Sequence, residues 1–405
     1  MLSIIRLRAF QAIATGNLFA TIGISLFNIV LLMYAKSFPN PHWYVSMVTV
    51  ATLLPYLFSG ITGKLADRSA SRPHRLIYTK FFQAGSYVLL AGVINQQTAL
   101  VFYLVILINV VSDIVGGYGE GLIKLMIQRQ IPATLRQQAI GLNTSVATLI
   151  APVGQTMGVV VMSQFHNYAV AGLINAAAFV LSALCLLWDD QPLAPAPMVE
   201  KTTHQPIWPA LTKAVRRAFG LSAVNFLGII MIANICDTSL DGILNLFFID
   251  LSSELPVSYG TAIVLTNCVY VAGSVLGAAS RHTWLDRVTN LSLLLITTAA
   301  TGLAYMVLLI APRFTLILLS VLVVAFCNGK LNPRLISQLM QVIPAQNTAA
   351  VLGTVSAVVM MAAPIGSMFI LLCYNLYGAT IALTIVLTLA VMTFGWCLVA
   401  KRAES

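Results

Sequence analysis

The 405-residue chain is 59% apolar and only 8% charged, with a mean hydropathy of +0.90, whereas soluble proteins carry about a quarter charged residues. That excludes a water-soluble globular domain. The formal net charge of +10, from 22 Lys and Arg against 12 Asp and Glu, comes from basic residues lying between apolar runs. They read as topology signals rather than as a nucleic-acid surface.

Arg6 and Arg8 precede a first apolar stretch at 9–35, too long for a signal-peptide core and without a small-x-small cleavage site, so it is read as a retained span. Further membrane spans, each long enough to cross a hydrocarbon core, are predicted at 43–66, 76–95, 98–123, 137–162 and 168–188. A polar stretch from Asp189 to Arg217 follows, with Pro192, Pro195, Pro197, Pro206 and Pro209, a composition that resists helix and sheet. Six more spans are predicted at 218–249, 257–280, 288–311, 314–340, 347–374 and 378–400. The expected fold is an all-α membrane protein of twelve transmembrane helices in two pseudo-symmetric six-helix bundles. Its expected parts are an N-terminal bundle over 1–190, a cytoplasmic Pro-rich linker over 191–215 and a C-terminal bundle over 216–405.

The segments before span 1, after each even-numbered span and after span 12 hold nineteen Lys and Arg, with Lys80 counted in the loop after span 2. The opposite side holds Lys36 and Arg313, and Lys330 lies inside a span. Because Lys and Arg near span ends stay in the cytoplasm, both termini are expected there. The six cysteines lie singly in apolar segments without CxxC pairing. No disulfide framework, metal site or cofactor is expected.

The halves share an echo. Ile131-Pro132-Ala133, Gly141, Val146, Ala151-Pro152 and Gly154 recur at a single offset of 212 as Ile343-Pro344-Ala345, Gly353, Val358, Ala363-Pro364 and Gly366. Eight identities in 24 positions exceed the roughly two expected from average residue frequencies, so span 5 is matched to span 11. Parallel duplication of six-span halves is the pattern with which transporters build a central site between rocking bundles.

Gly63-Lys64-Leu65-Ala66-Asp67-Arg68-Ser69-Ala70-Ser71-Arg72, after span 2, resembles the G-x-L-A-D-R-x-G-R-[RK] signature of the major facilitator superfamily. The resemblance extends over the whole chain in length, span count, sidedness and duplication. It implies a secondary transporter working by alternating access, with Gly63, Asp67, Arg68 and Arg72 forming a cytoplasmic gate. Gly63 would permit close helix approach, and Asp67 would sit against the positive N-terminus of span 11 near Asn347 and Thr348. A solvated charge cluster serving topology alone is the competing reading. Pro152 and Gly154, with Pro364 and Gly366, are similar to the Gly-Pro element of the family's exporter branches, and equally suit close helix packing. Span 4 departs from the exporters. Asp113 stands where they carry an arginine, so their coupling mechanism does not carry over.

Ionisable groups inside a span cost about 2.5 to 3.5 kcal/mol each on insertion scales and so face a partner or a wet cavity. Asp113 and Glu120 share a stripe on span 4 with Asn109, Gly116 and Lys124; Asp237 and Asp241 share one on span 7 with Asn234 and Asn245. In the family that the chain resembles, spans 1, 4, 7 and 10 line the cavity, which adds Asn28, Asn328 and Lys330. These acids are the candidate substrate and proton sites, since a buried carboxylate binds a proton or a cation but not comfortably both. Lys330 pairing with Glu120 or Asp113 to hold the halves in register, and Glu120 with Lys124 as an i,i+4 pair, are the structural alternatives. The expected activity is proton-coupled efflux of amphipathic or cationic small molecules by a monomer in a bacterial cytoplasmic membrane. Ion-coupled uptake of a metabolite, including an anionic one, and a lipid-moving variant of the fold are the alternatives. The lack of a phosphate-binding loop and of HExxH or GxSxG argues against an ATPase or a membrane enzyme, and no nucleic-acid partner is expected.

Overall fold

The computed structural model describes residues 7–69, 72–132, 135–187, 207–280, 283–342 and 348–402. Every regular element among the described residues is an α-helix, as a chain this apolar requires: the bilayer core offers no water, so backbone groups must pair within the segment.

In chain order the elements are α1 (Arg8–Lys36), α2 (Pro41–Leu57), α3 (Ser59–Asp67), α4 (Arg72–Val93), α5 (Ala99–Gln130), α6 (Arg136–Phe165) and α7 (Tyr168–Leu187). After these come α8 (Ile207–Phe219), α9 (Ala223–Asp250), α10 (Tyr259–Ala279), α11 (Trp284–Arg287), α12 (Asn290–Ile310), α13 (Phe314–Val342), α14 (Thr348–Tyr377) and α15 (Ala379–Arg402). Their ends follow local chemistry. Thr98, Ser222 and Thr289 cap α5, α9 and α12 by accepting the backbone N–H of Val101, Asn225 and Ser292. His166, with φ 51°, ends α6, and Gly220 and Gly378, with φ 71° and 87°, separate α8 from α9 and α14 from α15.

Among the described residues nine helices are long and apolar enough to cross a membrane, ten if α2 and α3 form one bent span. Span 2, expected as one helix, is broken: α2 and α3 meet at 40° around Phe58, just after Pro55, which has no N–H for the helix ladder. Helices α4 and α14 occupy the third and eleventh predicted stretches but stand outside that count. α4 carries His74, Arg75, Lys80 and Gln83 among its apolar residues, and within α14 the stretch whose side chains are described throughout, Met361–Tyr377, is apolar.

Two compact units are present: Met1–Met198 with Ser258–Val264, and Val199–Val257 with Leu265–Ser405. In the first, α1 packs on α6 and α7, and α4 on α7 and α5. A Cβ added at Gly154 would lie 2.7 Å from the Ile22 carbonyl oxygen, and one at Gly158 would lie 2.6 Å from that of Leu26, so α1 and α6 touch backbone to backbone. One end of the unit is closed by the rings of Tyr34, Phe38, Tyr44, Phe102 and Tyr168, with centroids 4.4–6.1 Å apart. In the second unit α9 packs on α14, and α12 on α13 and α15. Gly366 there abuts the Ile235 side chain. Pro152 and Pro364 lie buried inside α6 and α14.

The linker expected over 191–215 needs correction from Ile207 onward; residues 188–206 lie outside the described residues. Helix α8 forms despite Pro209, because a proline in the first turn lacks only an N–H that has no helical partner there. Its Leu211, Ala214, Val215 and Phe219 are buried in the core of the second unit beside Phe226, Leu285 and Leu339, while Trp208, Lys213 and Arg216 face out. Ala133 and Ile343-Pro344-Ala345 of the repeat, and Asn347 of the expected gate, also lie outside the described residues.

Candidate functional site

In the first unit the centre is Asp113, midway along α5. Its Oδ2 accepts a hydrogen bond from Asn109 Nδ2 at 2.9 Å, and Asn109 Oδ1 in turn accepts from the Tyr87 hydroxyl of α4 at 2.8 Å. Asn109 and Tyr87 are fully buried and Asp113 is half-buried. The partner that charges the chain with a polar relay is therefore one turn away on the same helix, held in rotamer by a tyrosine on the next.

Alongside runs a second polar line that sequence reasoning missed. Lys80, counted above as a loop charge, is inside α4 and only 6% exposed. Its Nζ donates to Gln83 Oε1 at 3.4 Å and lies 5.5 Å from the centroid of the Phe179 ring, and Gln83 Nε2 donates to the Ser112 carbonyl at 3.1 Å. Gly116 makes room for it, since a Cβ there would come within 3.0 Å of Gln83 Nε2. The available signal was the spacing of Lys80, Gln83 and Tyr87, one polar stripe on span 3. Further along α5, Glu120 and Lys124 are both exposed. Asn28 on α1 is half-buried, with Oδ1 shielded from solvent and without a protein donor.

At the signature, Asp67 and Arg68 are exposed at the end of α3, and the side chain of Arg72 lies outside the described residues. The close approach expected at Gly63 is not present: an added Cβ there meets nothing within 4 Å. Ser69 instead fastens the loop, bonded to the Tyr118 hydroxyl of α5 at 2.6 Å and accepting from Arg75 at 3.2 Å.

In the second unit the centre is Asp237, midway along α9. Its Oδ1 accepts from Asn328 Nδ2 of α13 at 2.8 Å, and its Oδ2 from the Tyr270 hydroxyl of α10 at 3.4 Å. Three helices are thus joined through one carboxylate; interhelical hydrogen bonds in membranes average about 0.6 kcal/mol each. One turn earlier Asn234 Nδ2 donates to the Val359 carbonyl of α14 at 3.0 Å. Asp237, Asn234 and Asn328 line a cavity of about 100 Å³ with Thr297, Thr298 and Thr301 of α12. Asp241, one turn further on, is exposed.

Lys330 is 8% exposed, yet it does not face these acids. Its Nζ donates to Asp286 Oδ1 and to the Ser280 carbonyl, both at 2.8 Å, and the pairing expected with Glu120 or Asp113 is replaced by one inside the second unit. Asp286 sits in α11, between α10 and α12, where its carboxylate also accepts from the backbone and hydroxyl of Thr283. The Lys330 bond, with those from Thr283, holds its carboxyl down to about 2. Arg334, one turn on, donates to the carbonyls of Leu285 and Val288. Two basic residues of α13 thereby clamp the α10–α12 connection. Among the described residues no group of three or more His, Cys, Asp and Glu is placed to hold a metal ion.

The sequence model of the Major Facilitator Superfamily matches residues 13–367, and no curated protein matches the chain. Among solved structures, the POT family transporter PepTSo superposes with a TM-score of 0.75 at 11% identity, over 98% of both chains. An auto-inhibited POT family peptide transporter gives 0.72 at 12% identity, over 98% of this chain and 96% of that one. A bacterial homolog of the human lysosomal transporter Spinster gives 0.69 at 14%, over 98% and 97%. At these identities the likeness is one of fold.

Proposed function

The chain belongs to the Major Facilitator Superfamily, and on that premise we propose that it is a proton-coupled secondary transporter, working by alternating access, that exports amphipathic or cationic small molecules. The observation that carries this reading is the pair of matched sites. Each unit holds one aspartate midway along a membrane helix, bonded to an asparagine and backed by a tyrosine: Asp113 with Asn109 and Tyr87, Asp237 with Asn328 and Tyr270. A carboxylate kept at bilayer depth is costly, and one that alternates between a proton and a substrate cation converts a proton gradient into substrate movement.

In this reading Asp113 and Asp237 bind substrate or proton, with Asn28, Asn234 and Asn328 supplying neutral polar contacts. The exposed Glu120 and Asp241 pass protons to and from solvent. Asp67, Arg68 and Arg72 form the cytoplasmic gate, and Lys330, engaged with Asp286, steadies the α10–α12 connection rather than the substrate. Both termini face the cytoplasm of a bacterial inner membrane, and the protein acts as a monomer.

One observation favours a second reading, uptake of a metabolite: two of the structures most like this one are POT family transporters, one of them described as a peptide transporter. A peptide-like zwitterion would meet the same aspartates with its amino group. Purified protein in liposomes separates the two. With a proton gradient imposed, export predicts that a lipophilic cation moves against the proton flow, whereas uptake predicts that a dipeptide moves with it; absence of any gradient-dependent flux of either refutes proton coupling.

A further inference from the structure

Helix α8 carries its charge on one side. Successive residues of a helix turn by about 100°, and on that wheel Leu211, Ala214, Val215 and Phe219 share the arc that is buried in the core of the second unit. Lys213, Arg216 and Arg217 share the opposite arc and are exposed. Arg287, the last residue of α11, is exposed at the same end, two residues after Leu285 enters that core. The acid at this end, Asp286, is taken by Lys330. Of the other acids described in the unit, Asp237 and Asp241 lie midway along α9, ~20 Å or more from its start at 1.5 Å per residue, and Asp250 and Glu254 lie at or past its far end. Among the described residues the basic face is therefore left without a counter-charge.

Two contacts set the depth of this face. Phe219, in the last turn of α8, stacks on Phe226 in the first turn of α9, with ring centroids 4.7 Å apart. Asn290, the first residue of α12, donates from Nδ2 to the Ala218 carbonyl at 3.5 Å. The end of α8 is thus level with the starts of two membrane helices, where a bilayer keeps its headgroups. Trp208 and Trp284, 52% and 64% exposed, suit that depth, because indole rings concentrate at the membrane–water interface. We propose that the outer face of α8, together with Arg287, binds the headgroups of anionic phospholipids, whose phosphates supply the counter-charge. Charge complementarity selects the partner. Guanidinium groups grip phosphate with paired hydrogen bonds, and basic clusters next to a membrane helix are drawn to an anionic leaflet. A zwitterionic headgroup presents the same phosphate but cancels its charge with an amine. The inference goes beyond the transport reading, since nothing in it depends on what is carried or on the coupling ion.

Quenching of tryptophan fluorescence by brominated lipids tests this with the full-length protein in liposomes that mix phosphatidylglycerol and phosphatidylcholine, one of the two brominated at a time. At equal mole fraction, brominated phosphatidylglycerol is expected to quench more strongly, and Trp208→Phe should remove the part of the signal that reports on α8. The preference for phosphatidylglycerol should fall about fivefold in Arg217→Gln, the loss that accompanies one basic residue near an anionic surface. It should vanish when Lys213→Gln, Arg216→Gln and Arg217→Gln are combined, and in about 1 M salt, where screening acts within ~3 Å. Arg216→Lys with Arg217→Lys should keep most of it. Melting in detergent checks folding, which these exposed substitutions should leave unchanged. Equal quenching by the two lipids, or a preference that survives the triple Gln variant, overturns the proposal. So does a preference abolished by inorganic phosphate in place of chloride at constant ionic strength, which would mean that the face takes free anions. Flux in the same liposomes keeps the two readings apart: a lipid preference without proton-driven flux leaves this inference standing and refutes the transport reading, and flux without a lipid preference does the reverse.

Discussion

Asp113 in the first unit is held from its own helix, by an asparagine four residues earlier, whereas Asp237 in the second is held from two others, by residues 91 and 33 positions away in the chain. The glycines of the repeat differ in the same sense. Gly154 lies against backbone, the Ile22 carbonyl, while its counterpart Gly366 lies against a side chain, that of Ile235. In the first unit α1 and α6 are fixed by backbone contact, and the carboxylate reaches a second helix only indirectly, through Asn109 to Tyr87. In the second, α10 and α13 also touch backbone to backbone, at Gly273, Gly277 and Gly329, and it is the carboxylate that ties both of them to α9. The lesson is that the same duplicated sequence supports two kinds of site: one that titrates in place, and one whose occupancy is felt by the packing of its bundle.

The largest effect that would sharpen this comparison is on transport. Asp113→Asn and Asp237→Asn should each abolish flux driven by a proton gradient in liposomes while substrate exchange without a gradient persists; if either variant still couples, protons act through one unit alone and the parallel between the two sites breaks. Next come the glycines. Gly154→Val should destabilise by about 3 kcal/mol, the upper end for overpacking, since a carbonyl cannot move aside, and Gly366→Val by about 1 kcal/mol, since an isoleucine can change rotamer. Thermal unfolding in detergent compares them, and equal losses would show that the two packing contacts are equivalent after all. Asn328→Ala should cost about 0.6 to 1.7 kcal/mol, the range for interhelical polar contacts in membranes, and its unfolding should lose sensitivity to Asp237→Asn in the double variant.

The smallest effect concerns pH. The carboxyl of Asp286 is held down to about 2 from an ordinary 3.8. A depressed pKa contributes stability that is fully present above the ordinary value and lost as pH falls through about 2. The difference in melting temperature between wild type and Asp286→Asn should therefore be flat at every pH above about 4. A difference that grows or vanishes near neutrality would place the pH-sensitive element of the second unit at this clamp rather than at Asp237.

Much of this was legible in the sequence, for identifiable reasons. Apolar runs located the helices because backbone pairing in lipid leaves no other option, and the offset of 212 between Pro152 and Pro364 located corresponding buried prolines. Asp113 and Asp237 stood out because a charge inside an apolar run demands a reason. The partners did not stand out. Tyr270, Asn328 and Tyr87 reach their acids from other helices, and spacing along one helix carries no information about its neighbours. Lys80 was misplaced because a hydropathy reading counts its charge but not the Gln83 amide and Phe179 ring that surround it. Lys330, expected in the cavity or alternatively paired with Glu120 or Asp113, bonds Asp286 instead, a residue 44 positions away in a connection that sequence reasoning treats as solvent. Glu120 and Asp241 share helical stripes with the half-buried Asp113 and Asp237 but are exposed, since periodicity places residues on a face without saying how deep that face lies.

The central claim is that the two half-buried aspartates at mid-helix exchange a proton for a substrate cation. Proton release from purified protein in weakly buffered detergent, followed with a pH indicator as a lipophilic cation is added, measures that exchange directly. Wild type is expected to acidify the medium on binding, with Asp113→Asn and Asp237→Asn each releasing less; binding of the cation with no release of protons, or with release unchanged in both variants, would contradict the account.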